Sequence, residues 1–190
     1  MNLGWVVGQP VSLDEVDSRE VLLRASPRAV ALPVAGTREG RQLRRWLAQV
    51  LVTEKVVTHE ARSRGVCIAD APPEAEVLPD LTARLELGSV LAGVLADLLA
   101  RALYARITAE IEVDAATIAD YHRRNPNRFI RDRRANLSEV APQIAELLGG
   151  AARRRAFRLV IERRRAELVQ LAPGYEHPGD PRQPDNTHRH

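Results

Sequence analysis

The densest set of possible ligands in this sequence lies at its C-terminal end. The stretch "YEHPGDPRQPDNTHRH" holds His177, Asp180, Asp185, His188 and His190. Imidazole and carboxylate groups bind zinc and related transition metals, and the terminal H-x-H spacing lets two rings reach one ion. No rigid element supplies any of these ligands, so an ordinary polar tail that contacts a partner, or docks over its own domain, is the favoured reading. The expectation is no cofactor, with a transition metal such as zinc as the alternative.

Acid-base chemistry has two further sets of candidates. Tyr121 and His122 sit together on a short helical segment, where Tyr121 is expected to pack inward and His122 to face out. Asp97 and Arg101 stand four apart on the most apolar segment, a spacing that in a helix gives an ion pair along one edge or, if the helix is buried all round, a polar spot in a cavity. For all four, as for His59, a structural role leads over a catalytic one, because sequence places no acidic or nucleophilic partner within reach. Cys67 is the single cysteine, which excludes an intramolecular disulfide and any C-x-x-C motif.

These residues need a scaffold, and composition points to a helical one. The 190 residues are 45% hydrophobic, 28% charged and 4% aromatic, enough for one domain with a real core. The net charge of +3 divides into about −2 over residues 1–112 and about +5 over residues 113–190. Lys55 is the only lysine, so the arginine groups at 123–124, 131–134, 153–155 and 163–165 fit a coding bias as well as a phosphate-binding surface. With few aromatics for stacking, nucleic-acid binding is not expected. No window reaches the length of a membrane span, and the N-terminal residues lack the features of a secretory signal, so a cytoplasmic protein is expected.

Periodicity and punctuation then place the elements. A short strand and a turn at Gly8–Pro10 precede a helix from Leu13 to about Ala25, opened by a capping box of Ser12 and Glu15. An apolar stripe predicts a second helix over 41–64, stopped by Gly65. A Pro-rich connection leads to a helix whose stripe runs from Leu87 to Ile107. Asp114 caps a short helix ending at Asn125-Pro126, and Ser138 caps a long last helix with Pro142 in its first turn and Gly149-Gly150 marking a kink or a close contact.

Three segments, in this order, resemble the SurA/PrsA-type chaperones, which join a helical peptide-binding domain to parvulin-type prolyl isomerase domains. "WVVGQPVSLDEVDSR" is similar to the family's opening strand and first helix, commonly V-N-G-x-x-I-[ST]-x-x-E. "LRRWLAQVLVTEKVVTHEARSRGV" is similar to its second helix, with Glu54, Lys55, Glu60, Ala61, Arg64 and Gly65 on the pattern. "VDAATIADYHRRNPNRF" is similar to the element V-[ST]-x-x-x-I-x-x-Y-Y-x-x-N-P-x-x-F that precedes the isomerase domain, with His122 replacing the second Tyr. Together they cover roughly half the chain. Only eight residues separate Phe129 from Ser138, whereas an isomerase domain needs on the order of ninety.

The resemblance therefore implies an all-α, SurA-N-like domain over residues 1–172, lacking the parvulin domain and closed by the last helix, with a tail at 173–190. The function it implies is binding of a polypeptide client or a dedicated partner without prolyl isomerase activity. Trp46, Tyr121, Phe129 and Tyr175 are the aromatic candidates for that contact. The alternative is a small-molecule cyclase or isomerase that reuses a helical cavity, with metal help from the tail. A weaker third reading is a structural subunit whose basic C-terminal half binds an acidic partner. A homo-oligomer is compatible with each.

Overall fold

The computed structural model describes residues 2–27, 29–129 and 136–176, and its spine is the helix α2 (Arg38–Ser63). Thr37 opens α2 by accepting a hydrogen bond from Gly40 N at 3.1 Å. That cap moves the start from the expected Arg41 to Arg38. The apolar stripe read from the sequence covers two faces of this helix. Val50, Val57 and Ala61 enter a core formed with later helices, while Leu47, Ala48, Val52 and Val56 enter a second core beneath a small sheet. Trp46 packs against both.

The sheet lies over the second core and departs most from the expected fold. β1 (Asn2–Val6) pairs antiparallel with β2 (Gln9–Ser12) on one side and with β3 (Val169–Leu171) on the other. The turn falls at Val7-Gly8 rather than Gly8–Pro10, with φ of +54° and +72°. Such values fit a two-residue hairpin turn whose twist matches the strands. Pro10 belongs to β2, an edge strand, where a missing N–H is tolerated. Leu3, Val6 and Val11 are buried, and Gly4 is required by proximity: a Cβ there would stand 2.3 Å from Gln170 O.

α1 (Leu13–Arg24) starts as its capping box dictates. Ser12 N donates to Glu15 Oε1 at 3.1 Å and Glu15 N to Ser12 Oγ at 3.3 Å. After α2, a 3-10 turn (Ile68–Asp70) and the short α3 (Glu74–Val77) fill the Pro-rich connection. The expected single helix over 87–107 is three: α4 (Leu81–Leu87), α5 (Ser89–Val94) and α6 (Leu98–Thr108). Gly88, at φ +80°, breaks the first junction. Asp97 makes the second by capping α6, accepting from Leu99 N at 2.8 Å and Ala100 N at 3.3 Å. The apolar stripe still reaches the core, with Val90, Leu91, Val94, Leu95 and Leu103 buried against α2 and the last helix.

α7 (Ala115–Arg124) is capped by Asp114, which accepts from Thr117 N at 2.7 Å, and a 3-10 turn (Pro126–Phe129) follows it. α8 (Leu137–Leu168) packs on α7, α4, α2 and α6. Its cap is Asn136 rather than Ser138, and Glu139 Oε2 accepts from Asn136 N at 3.0 Å. Pro142 consequently lies in the second turn. The helix runs unbroken through Gly149-Gly150, over which the side chains of Arg153 and Arg154 fold back. Ile144, Phe157 and Ile161 are fully buried, and the Phe157 ring meets Tyr104 edge-on with centroids 5.4 Å apart. No described helix is long and apolar enough to cross a membrane.

Candidate functional site

The end of α8 passes directly into β3, and three surface clefts surround this junction. Each is built from the last turns of α8 and a different neighbour. The first, against β1 and its turn, is lined by Trp5, Val7, Gly8, Glu167, Leu168 and Gln170, with a volume of about 320 Å³. Trp5 is 42% exposed and Val7 38% exposed, so the apolar walls stand open to water. Val7 Cβ branching is at odds with its positive φ, and strain of that kind concentrates at functional positions.

The second cleft, against the end of α2, has a volume of about 460 Å³ and is an ion network. Glu60 is 2% exposed and accepts from Arg164 Nε at 2.7 Å and from Arg64 Nη2 at 3.3 Å. Glu167 accepts from Arg163 Nε at 3.0 Å and also from Arg164. The bonds from Arg163 and Arg164 hold the Glu167 carboxyl below its ordinary range. Both carboxylates accept hydrogen bonds from arginines on α2 and α8.

The third cleft, about 320 Å³, lies between the last turns of α8 and β3 and is lined by Glu162, Arg165, Ala166, Val169 and Leu171. Arg165 is half-buried and donates to Oε1 of Gln49, a residue 1% exposed on α2. Gln49 Nε2 in turn donates to Tyr175 O at 2.5 Å, and Arg45 Nε to Gly174 O at 3.1 Å. These bonds fasten the segment after β3 to α2. Tyr175, within the segment read as the tail, lies against the sheet core.

The residues singled out from sequence do not converge on these clefts. Asp97 and Arg101 form no ion pair with each other: Asp97 is the α6 cap, and Arg101, 8% exposed, donates to Pro72 O at 2.9 Å, Leu95 O at 3.0 Å and Ala96 O at 2.8 Å. It is a buried clamp on three carbonyls. Around α7 Tyr121 and His122 are both half-buried, so His122 does not face out as expected and Tyr121 packs inward only in part. Phe129 is the buried ring, with Tyr121 edge-on at 6.3 Å and His122 tilted against it at 5.6 Å. Arg128 Nη1 donates to the Tyr121 hydroxyl at 2.7 Å. Trp46 is a wall between the two cores, its indole N–H buried without a hydrogen-bond partner among the described residues.

His177, Asp180, Asp185, His188 and His190 lie outside the described residues, and so do Arg131, Arg133 and Arg134. Among the described residues no group of three His, Cys, Asp or Glu side chains is placed to hold a metal ion. Sequence reading missed Trp5, Val7 and Gln49, and took Arg165 only as one of the arginine group 163–165, not as an inward-facing charge. Gln49 had left a signal, a polar residue within the apolar stripe of α2. Arg165 had left none, since it is one of three consecutive arginines and only the fold turns it inward.

Comparison with known proteins adds one match. A family of unknown function (DUF7158) matches residues 2–39, which span the β1–β2 hairpin, α1 and the loop into α2. No curated protein and no solved structure matches the chain.

Proposed function

We propose that this chain is a chaperone-like, cytoplasmic polypeptide-binding protein without prolyl isomerase activity, which holds extended segments of a client at the α8–β3 junction. The observation that carries the reading is the open apolar pair Trp5 and Val7 on the outer side of a three-stranded sheet, beside clefts whose acidic groups are already occupied by arginines. Burial of apolar surface drives polypeptide capture and needs no reacting group. The order of the three segments that resemble SurA/PrsA-type chaperones supports the same reading, as does the short span between Phe129 and α8, which leaves no room for an isomerase domain. Arg101 and Asp97, two of the four side chains an enzyme reading would use, are spent on backbone hydrogen bonds.

The test is suppression of aggregation by the full chain. Light scattering from a chemically unfolded protein diluted into buffer is expected to fall as the chain is added in stoichiometric amounts, and Trp5→Ser with Val7→Ser is expected to remove most of that effect. A prolyl isomerisation assay on a peptide substrate is expected to show only the uncatalysed rate. Unchanged scattering, or catalysed isomerisation, would sink the reading.

A further inference from the structure

Arg165 is a half-buried charge whose hydrogen-bond partner among the described residues is uncharged. A guanidinium carries five N–H donors, and among the described residues Arg165 uses them on a single acceptor, the neutral amide oxygen of Gln49. Neighbouring arginines show what the chain does elsewhere: Arg154 is paired with Glu86, and Arg164 with Glu60 and Glu167. Arg165 forms no such ion pair among the described residues. Burial lowers its pKa, opposed only by the charge of Glu162. Glu162 sits on the rim, 57% exposed, with its carboxylate 3.7 Å from Arg158 Nε. A half-buried cation left without a carboxylate is costly, and an anion that enters with its own apolar body offsets that cost.

The surroundings define the anion. The cleft is walled by Ala166, Val169 and Leu171, all apolar, so the ligand carries an apolar group next to its charge. Among the described residues β3 bonds to β1 on one side only. Because Val7 N donates to Leu168 O and Ala172 N to Leu3 O, the alternation of an antiparallel ladder turns the N–H and C=O of Leu171 away from β1. An open strand edge accepts an extended chain. Charge, apolar wall and strand edge are the three complements of a peptide's last residue.

We propose that the Arg165 cleft binds the C-terminal carboxylate of an extended polypeptide whose last residue is apolar, with the guanidinium on the carboxylate and the last side chain against Val169 and Leu171. The proposal rests on the polypeptide-binding reading and names the part of the client that is held.

Calorimetric titration of the full chain tests it, using a short N-acetylated peptide of alternating valine and threonine that ends in leucine, once as the free acid and once amidated. The free acid is expected to bind at least about tenfold more tightly, the ratio set by a charge-assisted hydrogen bond. Arg165→Gln is expected to abolish the preference and Arg165→Lys to keep part of it. Since Arg165 also holds Gln49, a second variant at an exposed position, Ala166→Glu, places a carboxylate at the cleft mouth and is expected to weaken the acid but not the amide. Equal binding of acid and amide would overturn the site while leaving polypeptide binding intact, and so would a preference that survives both Arg165→Gln and Ala166→Glu. Absence of binding by either peptide, in a protein that still suppresses aggregation, also overturns it. Isovalerate binding as tightly as the peptide acid would overturn the polypeptide source in favour of a small carboxylic acid.

Discussion

Arg154 Nε on α8 stands 2.6 Å from Glu86 Oε2 on α4, with the arginine side chain 7% exposed and the glutamate 35% exposed. The pair joins two helices that are far apart in sequence, and the unequal burial sets its energetics. Removing Glu86 strands a buried cation, whereas removing both charges does not. Glu86→Ala is expected to cost about 2–3 kcal/mol in urea unfolding, and the double variant Glu86→Leu with Arg154→Met to regain most of it. A double variant as unstable as the single one would show that the arginine matters by packing alone.

Asp97 and Arg101 separate capping from clamping. Asp97→Ala is expected to cost about 1 kcal/mol, the usual loss for an N-cap. Arg101→Met keeps much of the volume but leaves the carbonyls of Pro72, Leu95 and Ala96 without their donor, so about 2–4 kcal/mol is expected. Were the two residues an ion pair, the two losses would be alike and strongly coupled. Additive, unequal losses in a double-mutant cycle are the expected result.

Val7 gives a trade between stability and binding. Its φ of +54° costs a β-branched residue roughly 1–2 kcal/mol, and Asn is the residue such a turn favours. Val7→Asn is therefore expected to raise the thermal midpoint by several degrees and, on the proposed function, to weaken client capture. A variant that gains stability and keeps full capture would mean the valine is not part of the binding surface.

Glu20 supplies the pH dependence. Burial raises its pKa, but hydrogen bonds from Arg24 at 2.8 Å and Arg44 at 2.6 Å outweigh this and hold it below the ordinary carboxylate range. A carboxyl with a depressed folded-state pKa stabilises the fold above its unfolded pKa, and that contribution is lost as pH falls through the folded value. Chemical denaturation is expected to give a stability that is flat at neutral pH and declines below about pH 4.5. The decline is expected to be shallower in Glu20→Gln. An identical acid limb in both proteins would assign the dependence to other groups.

What could be read from the sequence was local. Ser12 and Glu15 announce α1, Asp114 and Asn125-Pro126 bracket α7, and Gly65 closes α2, because each signal acts within a few residues of the backbone it satisfies. The single helix expected over 87–107 shows the limit. Its apolar stripe is genuine, but periodicity records which side chains are buried and not whether one axis carries them, and Asp97 was read as a helix-edge charge when it is a cap. β3 and the inward turn of Arg165 were invisible for a different reason. Val169–Leu171 becomes a strand only because β1 is beside it, and nothing in three residues at the end of a helix encodes a partner at position 4. The functional surface proposed above is made almost wholly of such distant pairings.

The pairing of Gly4 with Leu171 also sets a clock. During synthesis the β1–β2 hairpin emerges well before β3 and stays open along one edge until the chain as far as Leu171 has left the ribosome. Closing so long a loop adds entropy that local helices never meet, so the strand from β3 is expected to dock last. The α8–β3 junction is thus expected to form only as the fold completes, so that, on the proposed function, a nascent or partly unfolded molecule does not compete for clients.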